Sequence, residues 1–150
     1  MNIKMKRLIK QWAAPVLCGL FIFMMFKFVF FIGYVPSDSM EPAIKSGSCI
    51  FGYRIIGAIR HGDVVVFKHD GFMLVKRIAA VPGDIIYIND TGGSISVNEE
   101  ISDAVKVYTV PEGCYLVIGD NAGNSDDSRI WDNPFITKRQ VIAKIWTLII

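Results

Sequence analysis

The chain has 150 residues, 16 Lys and Arg against 14 Asp and Glu, and 52% hydrophobic residues, with a mean hydropathy of +0.40. That length holds one domain plus an accessory segment, and a net charge of +2 without a basic patch excludes a nucleic-acid surface. Two histidines and three cysteines at no metal-ligand spacing give no sign of a metal centre, and no motif points to another cofactor.

The hydrophobic excess lies mostly before Pro36. Residues 12–34, "WAAPVLCGLFIFMMFKFVFFIGY", carry a single charge, Lys27. As a helix this run would be about 35 Å long and would span a bilayer with some tilt. Trp12 and Tyr34 close it as interfacial aromatics, and Lys27 lies near enough to its outer end to snorkel to the surface. Lys4, Lys6, Arg7 and Lys10 precede it with no acid, and the first basic residue beyond it is Lys45. The positive-inside bias therefore assigns residues 1–11 to a cytoplasmic basic tail, 12–34 to a transmembrane anchor and 35–150 to the outer side. A removable signal peptide would have a shorter apolar region and an A-x-A-like end, whereas this one runs into "FFIGYVPSD".

After the anchor, "DVVVF", "MLVKRIAAV", "DIIYI", "SISV", "CYLVIG" and "VIAKIWTLII" are rich in β-branched and aromatic residues, and "HGD", "VPGD", "NDTGG" and "PEG" separate them. No stretch here combines a helical period with caps. The expectation is a mostly β domain, an antiparallel and partly closed or coiled sheet, on a single N-terminal transmembrane helix. Cys18 falls in the anchor. Cys49 and Cys114 fall in the exported part, where either a disulfide or two buried thiols would satisfy the chemistry.

Directly after the apolar run comes "PSDSMEPAI", with Ser37 and Ser39 between two prolines. A nucleophilic serine needs a base. His61 in "RHGD" and His69 in "KHDG" occupy polar hairpin-like settings where a solvated histidine is the ordinary occupant. Lys76 is different: it lies inside an apolar strand, with Leu74 and Ile78 on its own face and Arg77 on the other by the period-2 rule. Burial there would lower its pKa towards the range in which an amine acts as a base, although a strand lysine can also reach out to water. The third stretch, "GDNAGNSDDSR" at residues 119–129, is a polar loop following a strand, in which Asp127 and Arg129 can pair and Ser125 can bond an amine.

In this order the anchor, "PSDSMEP", "RHGDVVVF", "VKRIAAVPGD" and "GDNAGNSDDSR" resemble the type I signal peptidases, membrane-anchored serine proteases with a Ser/Lys dyad. The resemblance implies Ser39 as nucleophile and Lys76 as general base, with Ser37 and the Ser39 N–H binding the oxyanion. It implies that Ser125 orients the lysine, that Asp127 and Arg129 form a supporting ion pair, and that Val35, Pro36, Met40, Pro42, Ile44, Leu74 and Val75 border a shallow apolar substrate pocket. It further implies a bacterial-type plasma membrane location with the catalytic domain on the outer face. The partners would be the lipid bilayer and the cleavage regions of exported preproteins, with small residues at −1 and −3.

Two departures from the family pattern stand out: Ala122 and Gly123 follow "GDN" where an Arg-Asp pair is usual, and Asp132 and Asn133 precede Pro134 where a Gly is usual. They leave room for a peptidase with a narrow substrate set, or for an inactive membrane-tethered β module that binds exported peptides along its sheet edge. A self-cleaving repressor with the same dyad would carry a DNA-binding domain in place of the anchor. The length leaves no room for a large inserted second domain.

Overall fold

The computed structural model describes residues 3–89, 94–101 and 104–149; most of the expected "NDTGG" turn, the first two residues of the basic tail and Ile150 lie outside these. Most of the expected basic tail and most of the expected anchor form one helix, α1 (Ile3–Phe28). Its segment Lys10–Phe28 is long and apolar enough to cross a membrane, and none of its residues is buried. Lys27 sits in the last turn, its Nζ 5.5 Å from the Phe28 ring centroid and 6.0 Å from that of Phe23.

The helix stops earlier than the hydropathy suggests. Residues 30–34, assigned to the anchor by their apolarity, form strand β1 (Phe30–Tyr34), which pairs antiparallel with β2 (Cys49–Tyr53) over five residues, from Phe30 opposite Tyr53 to Tyr34 opposite Cys49. Hydropathy measures apolarity and not period, so it cannot separate the end of a membrane helix from an apolar strand that follows it. The junction is tight: Val29 N–H still donates to the Met25 carbonyl (2.9 Å), while the Val29 carbonyl already accepts from Arg54 N–H (2.7 Å).

The remaining strands are β3 (Val64–His69), β4 (Phe72–Ala80), β5 (Ile85–Asn89), β6 (Ile95–Val97), β7 (Ala104–Thr109), β8 (Cys114–Ile118), β9 (Phe135–Thr137) and β10 (Val141–Ile149). Among the described residues, β1 and β2 join five of these in an antiparallel sheet of order β1-β2-β10-β3-β4-β8-β9, and a smaller sheet has the order β6-β5-β7. The expected antiparallel β domain is present, and its large sheet is open, with β1 and β9 as edges. Its central hairpin is set locally. His69 pairs with Phe72, leaving Asp70 and Gly71 as a two-residue loop with φ of 46° and 86°, the doubly left-handed turn that Asp-Gly accommodates.

Alternation along β3 and β4 divides the large sheet into two apolar faces. Val65, Phe67 and Ile78 join one buried cluster with Leu74 packed against it, while Val66 belongs to a second cluster with Val75 packed against that. Ile86 and Ile88 of β5 meet Ala80 and Leu116 in a third cluster, which fastens the small sheet to β4 and β8. The second cluster positions the site, because it takes in Met40 and Ile44 from the segment after β1. Both are almost wholly buried. Ser39, next to Met40, is therefore placed by core packing and does not ride on a free loop. Cys18, Cys49 and Cys114 are all free thiols, Cys49 exposed on β2 and Cys114 half-buried on β8.

Candidate active site

Lys76 stands in the middle of β4, opposite Val65 of β3, and is 3% exposed. Its Nζ donates to Ser125 Oγ at 2.9 Å, and the Ser125 hydroxyl donates in turn to Asp127 Oδ2 at 2.6 Å. Asp127 is completely buried and fully engaged. Arg129 Nε and Nη2 grip its two oxygens at 2.8 and 2.7 Å, and the Gly119 N–H donates to Oδ2 at 2.8 Å. The chain Lys76–Ser125–Asp127–Arg129 thus runs from a neutral hydroxyl at the amine to an ion pair behind it.

The electrostatics follow from this order. Burial pushes the Lys76 amine below the ordinary lysine value; Asp127 and Asp126 pull it back up, and the Arg129 guanidinium offsets part of their effect. Burial by itself would raise the Asp127 carboxyl, but the hydrogen bonds from Arg129, Gly119 and Ser125 hold it below the usual carboxylate range. It stays charged, and its charge is shared with Arg129.

Ser39 is 8% exposed, and its Oγ lies 3.4 Å from the Ser37 hydroxyl. Its carbonyl accepts from Asn121 N–H at 3.0 Å, which binds the serine segment to the loop after β8. Gly119, the first residue of that loop, lies where the two meet. A Cβ built there would stand 2.2 Å from Ser125 Oγ and 2.5 Å from the Ser39 carbonyl oxygen, so both pack against the one position that has no side chain.

The neighbouring groups complete the frame. Arg77, facing away from Lys76, makes a two-pronged pair with Asp120 (2.8 and 2.6 Å) and donates to the Gly62 carbonyl. Neither histidine is bonded to Ser39: His61 Nε2 pairs with Asp84 at 2.6 Å, and the His69 ring stacks on Trp131 at 3.8 Å. Trp131 donates to Asp126 Oδ1.

A cleft of about 540 Å³ opens beside β1 and the hairpin of β3 and β4, lined by residues including Ile32, Gly33, Val66, Met73, Val75 and Ile142. Of the apolar residues expected around a substrate pocket, Val75 lines this cleft. Val35, Met40 and Ile44 are buried in the cluster beneath it, Leu74 packs on the opposite face of the sheet, and Pro36 and Pro42 are exposed. Gly119, Asp38, Asn121, Asn124 and the Arg77–Asp120 pair escaped the sequence reading. The only local signal for them was the density of Asn and Asp around the two serines.

Comparison with known proteins identifies the family. The family described as signal peptidase, peptidase S26, matches residues 6–149. Signal peptidase I S of Bacillus subtilis is 29% identical, the alignment covering 93% of this chain and 88% of that protein, and signal peptidase IB of Staphylococcus aureus is 30% identical over 94% and 89%. A crystal structure of a signal peptidase I from Enterococcus faecalis aligns with 61% of this chain and 99% of its own at 23% identity, with a TM-score of 0.46. The chain belongs to the signal peptidases of the S26 family, serine peptidases with a membrane-associated helix at the N-terminus.

Proposed function

We propose that this signal peptidase cleaves exported preproteins with Ser39 as nucleophile and Lys76 as general base. The observation that carries the reading is the state of Lys76: a buried amine whose bonded partner is the Ser125 hydroxyl and not a carboxylate. A neutral amine keeps two N–H groups and one lone pair. Ser125 takes one N–H, which turns the lone pair away from Asp127 and leaves it to accept the Ser39 hydroxyl proton. The Ser39 oxygen then attacks the scissile carbonyl. The Ser37 hydroxyl and the Ser39 N–H bind the oxyanion, a donor arrangement whose removal typically reduces the rate by about 10²- to 10³-fold. The ammonium of Lys76 returns its proton to the leaving amine, and a water deprotonated by the same amine hydrolyses the acyl-enzyme. The Asp127–Arg129 pair supplies position to Ser125 without adding a full negative charge beside the base.

The substrate enters as an extended strand. β1 is a sheet edge, and on the side away from β3 the partner strand β8 pairs with β4 only from Arg77 onward, so the stretch before Lys76 keeps a free edge beside the cleft. A peptide added there gains main-chain hydrogen bonds and sends alternate side chains towards the protein, which fits a requirement for small residues at −1 and −3. Residues 35 onward remain the peptidase domain, with β1 joined to it. The membrane itself is the other partner. Phe30, Ile32, Tyr34, Phe51 and Trp146 are exposed on β1, β2 and β10, β1 following α1 after the single residue Val29, and lay the site against the outer lipid surface.

The test is the pH dependence of single-turnover cleavage of a preprotein by the detergent-solubilised protein. Protonated Lys76 cannot act as a base, so activity is absent at low pH and rises to a plateau, with an apparent pKa below that of a free lysine because burial depresses it. Ser125→Ala should lower the plateau by about 10- to 100-fold, the scale of one hydrogen bond to a charged group, and chelators should change nothing. An acid limb near pH ~6.5 that disappears on replacing His61 would transfer the base to histidine.

Orientation has its own measurement. With residues 1–11 in the cytoplasm, protease added to spheroplasts should digest the domain from residue 35 onward and spare the N-terminal tail. Protection of the domain would reverse the topology.

A further inference from the structure

The segment carrying Ser39 and the loop carrying Ser125 are distant in sequence and tied together in space. Besides the bond from Asn121 N–H to the Ser39 carbonyl, Asn121 Nδ2 donates to the Asp38 carbonyl at 3.3 Å. Asn124 Nδ2 donates to both carboxylate oxygens of Asp38, at 2.8 and 2.7 Å. Between the two asparagines lie Ala122 and Gly123, both exposed, in a 3₁₀ turn spanning Ala122–Asn124. Neither has a side chain able to bond the serine segment, so Asn121 and Asn124 are the members of this turn that reach across to it.

We propose that Asp38 and Asn124 form a latch that holds Ser39 in register with Lys76, and that both are positioning residues for cleavage. The argument is geometric and rests on the dyad assigned above. Proton transfer from Ser39 to Lys76 requires both groups to be held closely, and a misplacement of about 1 Å reduces a rate by about 10²-fold. Lys76 is fixed from one side, on β4 and through Ser125. Ser39 is fixed from below by Met40 in the core, but packing beneath the chain does not determine its sideways distance from the Ser125 loop. The Asp38 carboxylate is the side chain that spans this gap from the serine side. It is adjacent to the nucleophile, and its partner Asn124 is adjacent to Ser125, so one contact couples the immediate neighbours of both.

The experiment compares kcat, KM and the single-turnover pH profile of the full-length protein on a signal-peptide substrate for Asp38→Ala, Asn124→Ala, Asn124→Asp and the exchange Asp38→Asn with Asn124→Asp. Each alanine variant should lower kcat by about 10- to 100-fold while KM and the acid limb stay in place, since the base and the cleft are untouched. Asn124→Asp alone sets two carboxylates against each other and should be the worst. Adding Asp38→Asn rebuilds the contact with its ends exchanged and should restore kcat to within a few-fold of the parent. If Asn124→Ala fails to fold, the exchange pair carries the test, because both its members keep the size of the parent side chains. Parental kcat in Asp38→Ala, or an exchange variant no better than Asn124→Asp, overturns the latch. Those results would leave the dyad standing, whereas turnover in Ser39→Ala would remove the dyad whatever the latch variants do.

Discussion

Alanine at Ser39 or at Lys76 is expected to lower kcat/KM by about 10⁶-fold, the scale on which a nucleophile and its base fail when either is removed. In the proposed dyad the two act as a unit, so the double variant should be scarcely worse than either single one. Lys76→Arg should fail as completely, since a guanidinium stays protonated at every working pH and cannot take the Ser39 proton. The fold should survive these changes. Lys76 is a buried amine that the protein holds below its ordinary pKa, and an apolar replacement such as Lys76→Met removes that desolvation while leaving the Asp127–Arg129 pair intact. Circular dichroism and urea midpoints beside the kinetics separate loss of chemistry from loss of structure. Measurable multiple turnover by purified Lys76→Ala would end the assignment of the base.

Gly119→Ala should have the next largest effect, about 10²-fold or more on kcat, although the residue carries no functional group. Its added methyl would stand 2.2 Å from Ser125 Oγ, 2.6 Å from Ser125 Cβ and 2.5 Å from the Ser39 carbonyl oxygen, distances that real Cβ atoms do not adopt. The Ser39 contact is to backbone and the Ser125 group is fixed by two hydrogen bonds, so no flexible side chain can yield. Either the Ser39 segment or the Ser125 loop must move, and each movement separates the proposed nucleophile from the proposed base. The strain should also lower stability by about 1–3 kcal/mol, as overpacking does elsewhere. The effects can be told apart by adding the substrate peptide at saturating concentration below the unfolding midpoint, where a low kcat reports displacement of the loops. A Gly119→Ala enzyme within a few-fold of the parent would mean that the two loops are not held as tightly as their packing implies.

The features legible in the sequence were those with a local signature. The long apolar helix showed in hydropathy, the hairpin turn in Asp70-Gly71, and the faces of β4 in the alternation of Leu74, Lys76 and Ile78 against Val75 and Arg77. Asp127 and Arg129 stand two residues apart, so their pairing was legible too. Strand β7, with the β-branched Val105, Val107 and Thr109 at every second position, was within reach of the same reading, whereas β2 and the three-residue β9 are short runs that become strands by virtue of their partners.

What only the tertiary structure decided is non-local. Whether residues 30–34 continue the helix or join a sheet depends on β2, which begins 15 residues after β1 ends. Val35, Met40 and Ile44 look alike as apolar residues beside a serine, and only the cluster over which they close buries them and fixes Ser39. Asp38 and Asn124 are separated by 86 residues and Lys76 and Ser125 by 49. By itself the sequence determined a helix long and apolar enough to cross a membrane, a β domain and a short set of chemically able residues, because hydropathy and strand periodicity are written over a few consecutive residues. The distances among those residues, and the empty position at Gly119 that lets them meet, came from the pairing of β4 with β8 and the closure of two loops across it, since no short-range pattern encodes where distant segments touch.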